Sequence, residues 1–158
     1  MATEPSPDDM FWALLAVASR LRQSTQELMA AETWLADTGF RPPCMSVLHC
    51  VVAVGPISQR GISDHLLLDP SDLVGVLDIL EHAGFVERRR DPADRRRHAV
   101  VATDAGREAD ERLAVVRTRV MGEVLAELDD DRRTELARLL IAAVDDGGRF
   151  AVQRSIRV

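Results

Sequence analysis

Hydrophobic positions follow a helical period through most of this chain, with one interruption. Phe11, Leu14, Leu15, Ala18, Leu21, Leu28 and Leu35 recur at helical spacing, with Arg20, Arg22, Gln23 and Glu27 between them. They predict one long helix from a cap at Ser6-Pro7-Asp8-Asp9 to about Trp34, ended by Asp37-Thr38-Gly39. Pro42-Pro43 then precedes a mostly apolar run from Cys44 to Val54, closed by Gly55-Pro56, which reads as a second helix. Ile57, Ile62 and Leu66 suit a shorter helix capped by Ser58, with Leu67-Leu68 as the turn. Leu73, Val76, Leu77 and Leu80 mark the next, from about Pro70 to His82. Asp69 can accept from the free N–H groups of its first turn, Pro70 sits where a missing N–H costs nothing, and Gly84 supplies the left-handed stop. Two helices joined this tightly make a helix-turn-helix.

The interruption follows Gly84. Phe85-Val86 and Ala99-Val100-Val101 carry strand signals, and Asp91-Pro92 between them suits the start of a type I turn. Both arms of the expected hairpin carry arginine: Arg88, Arg89 and Arg90 before the turn, Arg95, Arg96 and Arg97 after it. Guanidinium groups this close repel one another unless an anion lies nearby, and nucleic-acid phosphate or a narrow minor groove is the commonest partner. Helical periodicity then returns. Thr103 is a cap, Leu113, Val116, Val120, Val124 and Leu128 follow at helical spacing, Asp129-Asp130-Asp131 interrupts, and Leu136, Leu139, Leu140 and Ala143 mark a shorter final helix. The fold class expected is mainly α with a minor β part. A winged helix-turn-helix lobe (residues 43–103) lies between dimerisation helices (residues 6–36 and 104–144), all in one domain with a C-terminal tail (residues 145–158). The end helices carry apolar stripes that one small lobe cannot cover, so a homodimer is expected.

Composition narrows the chemistry. All 20 basic residues are arginine, which removes a P-loop lysine, a Schiff-base lysine and a lysine general base together. His49, His65, His82 and His98 show no metal-ligand spacing, and no Gly-rich phosphate loop or nucleophile-base motif occurs. No enzymatic activity, cofactor or metal is therefore expected. Few aromatics and no tyrosine argue against a single-strand stacking platform. The net charge of −6 makes the arginine-rich segment the one concentrated positive block on an acidic body. With no signal peptide, no membrane-spanning run and only Cys44 and Cys50, the expected setting is the cytoplasm, without a disulfide framework or a membrane partner.

The run DPADRRRHAVVATDAGRE resembles the wing and following helix start of the MarR (multiple antibiotic resistance regulator) family. Asp94 and Arg96 match its Asp-x-Arg, Thr103 and Gly106 its Thr-x-x-Gly, and Leu80, Gly84, Val86 and Arg88 the Leu-x-x-x-Gly-x-Val-x-Arg that leads into the wing. The resemblance spans residues 8–144. It implies a homodimeric transcriptional repressor that binds a pseudo-palindromic operator in double-stranded DNA and is released by a small aromatic or phenolic ligand. Two recognition helices would then meet half-sites about one helical turn apart. Arg95 and Arg96 would enter or flank the minor groove, with Asp94 pairing Arg96 to stiffen the wing. Arg88, Arg89, Arg90 and Ser58 would hold phosphates, Ser71 and Asp72 would face bases, Gly75 would allow close approach, and Arg97 completes the DNA-binding set. By the same resemblance, Trp12, Arg20, Met45 and His49 would line the ligand crevice between the dimerisation helices and the lobe.

Two alternatives stay open. The outward face of the recognition helix, Ser71, Asp72, Val74, Gly75, Asp78 and Ile79, has no arginine and two acids, whereas base readout favours arginine and amide donors. The same fold with weak or lost DNA binding would act as a ligand- or protein-binding module. Alternatively, Cys44 at a helix N-terminus, where the dipole lowers a thiol pKa, would be a redox sensor.

Overall fold

The computed structural model describes residues 4–90 and 98–144. Helix α1 (Pro7–Ala30) leads through a 3-10 turn (Thr33–Leu35) to α2 (Pro42–Val54). Strand β1 (Ile57–Ser58), α3 (Gln59–Leu66), α4 (Pro70–His82), β2 (Val86–Arg90) and β3 (His98–Ala102) follow, then α5 (Asp104–Val124) and α6 (Asp130–Val144). The three strands form one antiparallel sheet in the order β1-β3-β2, with Ile57 opposite Val100 and Arg88 opposite Val100 on its other side. The mainly helical winged helix-turn-helix class expected from the sequence is what forms.

Local chemistry explains the boundaries. Ser6 and Asp9 exchange capping-box bonds: the Asp9 N–H donates to Ser6 Oγ at 3.2 Å and the Ser6 N–H to Asp9 Oδ2 at 2.9 Å. Ser58 caps α3 by accepting from the Gly61 N–H at 3.0 Å, and Asp69 caps α4 by accepting from the Ser71 N–H at 2.8 Å. Gly84, at φ 74°, stops α4 while the Phe85 N–H reaches back to the Leu80 carbonyl at 2.9 Å. Thr103 does three things at once. Its hydroxyl donates to the Gly84 carbonyl at 2.6 Å, accepts from the Gly106 N–H at 3.0 Å, and its own N–H donates to the Phe85 carbonyl at 3.0 Å. Gly106 packs so closely beneath it that a Cβ there would lie 1.9 Å from the Phe85 carbonyl oxygen. The Thr-x-x-Gly signature is thus the joint between the end of α4 and the start of α5.

The core is continuous through the lobe and along α5. Val47, Leu48 and Val51 of α2, Ile62 of α3, Leu73, Leu77 and Leu80 of α4, and Leu113 and Val116 of α5 are all buried. Three boundaries depart from the sequence reading. Helix α1 stops at Ala30, because Trp34 turns inward to meet Phe85 edge-on at 6.2 Å and to lie under the Arg112 guanidinium at 4.2 Å. Helix α5 ends at Val124, short of Leu128. The two-residue β1, whose pairing partner lies more than forty positions away in β3, is absent from any local pattern. The expected turn at Asp91-Pro92 and the tail at residues 145–158 lie outside the described residues.

Candidate nucleic-acid interface

Helix α4 presents one face to the core and the opposite face to solvent. Leu73, Val76, Leu77 and Leu80 are buried, while Ser71, Asp72, Val74, Gly75 and Asp78 are exposed. Ile79, expected on the outward face, is instead partly buried against the core, because its place on the helix wheel lies next to Val76 and Leu80.

Strand β2 brings its arginines alongside this helix. Arg88 Nη2 donates to Asp78 Oδ1 at 2.8 Å, and Arg88 Nη1 is ion-paired with Glu81. The acidity of α4 that looked hostile to DNA is therefore partly neutralised from the strand. Arg88, expected to hold a phosphate, has its guanidinium bridging strand β2 to α4. Arg89 and Arg90 are exposed, Arg89 beside Glu87. Ser71 donates its hydroxyl to Asp69 within the cap, and Asp72 is exposed. Ser58 is exposed at the start of α3. Asp94, Arg95, Arg96 and Arg97 lie outside the described residues.

The sequence reading missed Arg41. It is the N-cap residue of α2, without a side-chain cap bond, and it is exposed. Its Nη2 would lie 3.7 Å from a Cβ on Gly75, so its guanidinium sits against the middle of the outward face of α4. Nothing in the local pattern around Arg41-Pro42-Pro43 announces that proximity, which depends on how α2 crosses α4.

The four residues assigned to a ligand crevice do not converge within the chain. Trp12 is 60% exposed on α1, stacked edge-on with Phe11 at 5.3 Å. Arg20 borders a polar cavity of about 210 Å³ with Ser24, Glu27 and Glu123. Met45 is packed in the core. His49 Nδ1 lies 3.0 Å from Asp110 Oδ2, and Arg117 Nη1 donates to Asp110 Oδ1 at 2.9 Å. Burial by itself would raise the Asp110 carboxyl, but the His49 hydrogen bond and the Arg117 charge outweigh it and hold the carboxyl below the ordinary aspartate value. This trio ties α2 to α5. A second cavity, of about 360 Å³, opens between the end of α1, the 3-10 turn and the start of α2, bordered by Met29, Leu35, Phe40 and Arg41.

Cys44 is the residue on which the redox alternative rests. It is fully buried, and burial pushes its thiol pKa up against the opposing influence of the helix start and Arg41. Among the described residues, no group of three or more His, Cys, Asp or Glu side chains is placed to hold a metal, and no helix is long and apolar enough to cross a membrane.

An exposed helix braced by an arginine-bearing strand, on a lobe flanked by long helices, defines a winged-helix protein. Comparison with known proteins gives its family. The model of the MarR family matches residues 41–98. An uncharacterized HTH-type transcriptional regulator of Bacillus subtilis (strain 168), YkoM, is 30% identical over 104 residues, covering 66% of this chain and 68% of that one. The crystal structure of a MarR-family transcriptional regulator from Rhodococcus sp. RHA1 superposes with a TM-score of 0.73 at 26% identity, covering 91% of this chain and 99% of the other. CouR from Rhodococcus jostii RHA1, solved bound to p-coumaroyl-CoA, gives a TM-score of 0.70 at 28% identity over 91% of this chain and 97% of its own. The chain belongs to the MarR family of DNA-binding transcriptional regulators.

Proposed function

We propose that the protein is a homodimeric repressor in the cytoplasm that binds a pseudo-palindromic operator and leaves it when a small ligand binds. One observation carries the DNA-binding part: α4 is exposed along one face and tied through Arg88 to strand β2, which bears Arg89 and Arg90, so helix and strand are presented to DNA together. Ser71, Asp72 and Gly75 face the bases, Ser58, Arg89 and Arg90 the phosphates, and the Arg95–Arg97 segment the adjacent groove.

The dimer reading rests on the end helices. Met10, Phe11, Trp12, Leu14, Leu15 and Val17 of α1 and Leu139, Leu140 and Ile141 of α6 are large apolar side chains left exposed in the single chain. A two-fold copy would cover them and space the two α4 helices. Ligand release rests on likeness to CouR, which was solved with p-coumaroyl-CoA, and on the cavities beside α1 and α2. A small aromatic or phenolic ligand that fits better when the lobes are wrongly spaced for the operator would shift the population off DNA.

Fluorescence anisotropy with the duplex upstream of the protein's own gene, against a scrambled duplex over a salt series, tests the reading. Selective, salt-sensitive binding is expected. Equal affinity for both duplexes at every salt would sink it and favour the same fold acting through a ligand or protein partner, a reading that the net charge of −6 and the acidic α4 also suit.

A further inference from the structure

Gly75 occupies the middle of the exposed face of α4, and the protein itself does not require a glycine there. At Gly106 and Gly61 it does: a Cβ would come within 1.9 Å of the Phe85 carbonyl oxygen in the first case and 2.9 Å of Ile57 Cγ1 in the second. At Gly75, among the described residues, the only neighbour within 4 Å of a Cβ outside the helix's own turn would be Arg41 Nη2, at an ordinary 3.7 Å. Glycine weakens a helix interior relative to alanine, so an uncrowded glycine at this point marks a place where something from outside must come close.

The other half of the observation is Arg41. Helix α4 carries no arginine on its outward face: Ser71 is engaged by Asp69, Asp78 by Arg88, Asp72 is an acid, and its one basic side chain, His82, lies in the last turn. Arg41 arrives from a different element, the start of α2, is exposed, and makes no ion pair among the described residues. Its guanidinium lies over the space that the missing Gly75 side chain leaves. A charged donor with no ion-pair partner among the described residues, held beside a gap on the recognition face, is suited to a backbone phosphate at the edge of the groove.

We propose that Arg41 is a phosphate-contacting residue of the DNA interface, and that Gly75 leaves room for the duplex backbone to reach it. This rests on the DNA-binding reading above. Arg41 supplies from α2 the positive charge that α4 lacks, which ties the helix that packs on α5 directly to the DNA.

The test is operator anisotropy with Arg41→Met, Arg41→Lys and Gly75→Leu beside the unaltered protein. Methionine keeps the apolar stem against the cavity wall and removes the charge, and no capping bond is lost because the Arg41 side chain makes none. Arg41→Met should weaken binding about tenfold or more and reduce the slope of log affinity against log salt by about two, one for each copy in the proposed dimer. Arg41→Lys should keep most of the affinity, since a phosphate needs a charge and not a fork. Gly75→Leu should weaken binding without lowering the unfolding temperature, and it carries the test if Arg41→Met does not fold. Unaltered affinity and slope in Arg41→Met, with wild-type binding intact, would overturn this inference alone. A wild type that binds no duplex would overturn the DNA-binding reading and this inference with it.

Discussion

The winged lobe and the terminal helices use similar apolar residues in opposite ways. In the lobe, Leu48, Ile62, Leu73, Leu77 and Leu80 close over one another with 1% exposure or less. On α1 and α6, Phe11, Trp12, Leu14, Leu15, Leu139 and Leu140 stand 43–60% exposed. Each buried aliphatic or aromatic side chain is worth about 1.5–3 kcal/mol, so the lobe is complete by itself while the terminal helices carry unspent driving force. The difference separates two jobs under the proposed function: one region carries the recognition surface, and the other is the surface on which a second copy would pack.

Mutations should affect the two regions differently. Leu80→Ala, in the lobe, should lower stability by about 3–4 kcal/mol in denaturant unfolding, because the cavity lies where α4 meets the sheet and cannot collapse. Gly106→Ala should cost about 3 kcal/mol, since the new methyl group meets the Phe85 carbonyl and must pry α5 from the end of α4. Leu15→Glu should do the reverse: little loss of helix by circular dichroism, but conversion of the dimer to monomer in sedimentation. A lobe-like collapse of the fold in Leu15→Glu would erase the distinction.

Asp110 lies at the join of the two regions and gives a pH signature. Its folded carboxyl titrates below its unfolded value of roughly 3.9. Its contribution is therefore complete above about pH 4 and is lost as pH falls through the lower folded value. Asp110→Asn should flatten that acid limb of the stability profile, and an unchanged limb would remove the trio from the account. The smallest effect expected is a gain: Gly75→Ala should raise stability by about 0.5–1 kcal/mol, in a position where packing asks for nothing.

Local signals made much of this fold legible. The bounds of α4 follow from Asp69-Pro70 at one end and Gly84 at the other, and Thr103 with Gly106 marks the start of α5, because caps and stops act within a few residues. What escaped depends on contacts distant in sequence. Trp34 reads as one more turn of α1 until Phe85 and Arg112 are placed beside it. His49 reads as a crevice-lining residue until Asp110 appears 61 positions later, and Arg41 looks like an anonymous residue before two prolines until α4 crosses it. Cys44 shows two local cues in competition, a helix start that favours the thiolate and a core position that opposes it more strongly.

Two winged lobes, spaced by the helices that one chain leaves uncovered, are proposed to bind one operator. Sedimentation velocity of the protein mixed with labelled duplex from upstream of its own gene tests it most directly. A complex with the mass of the duplex plus two 17.5 kDa chains, formed without a one-chain intermediate, is expected. A duplex that sediments with a single chain, or alone, would contradict it.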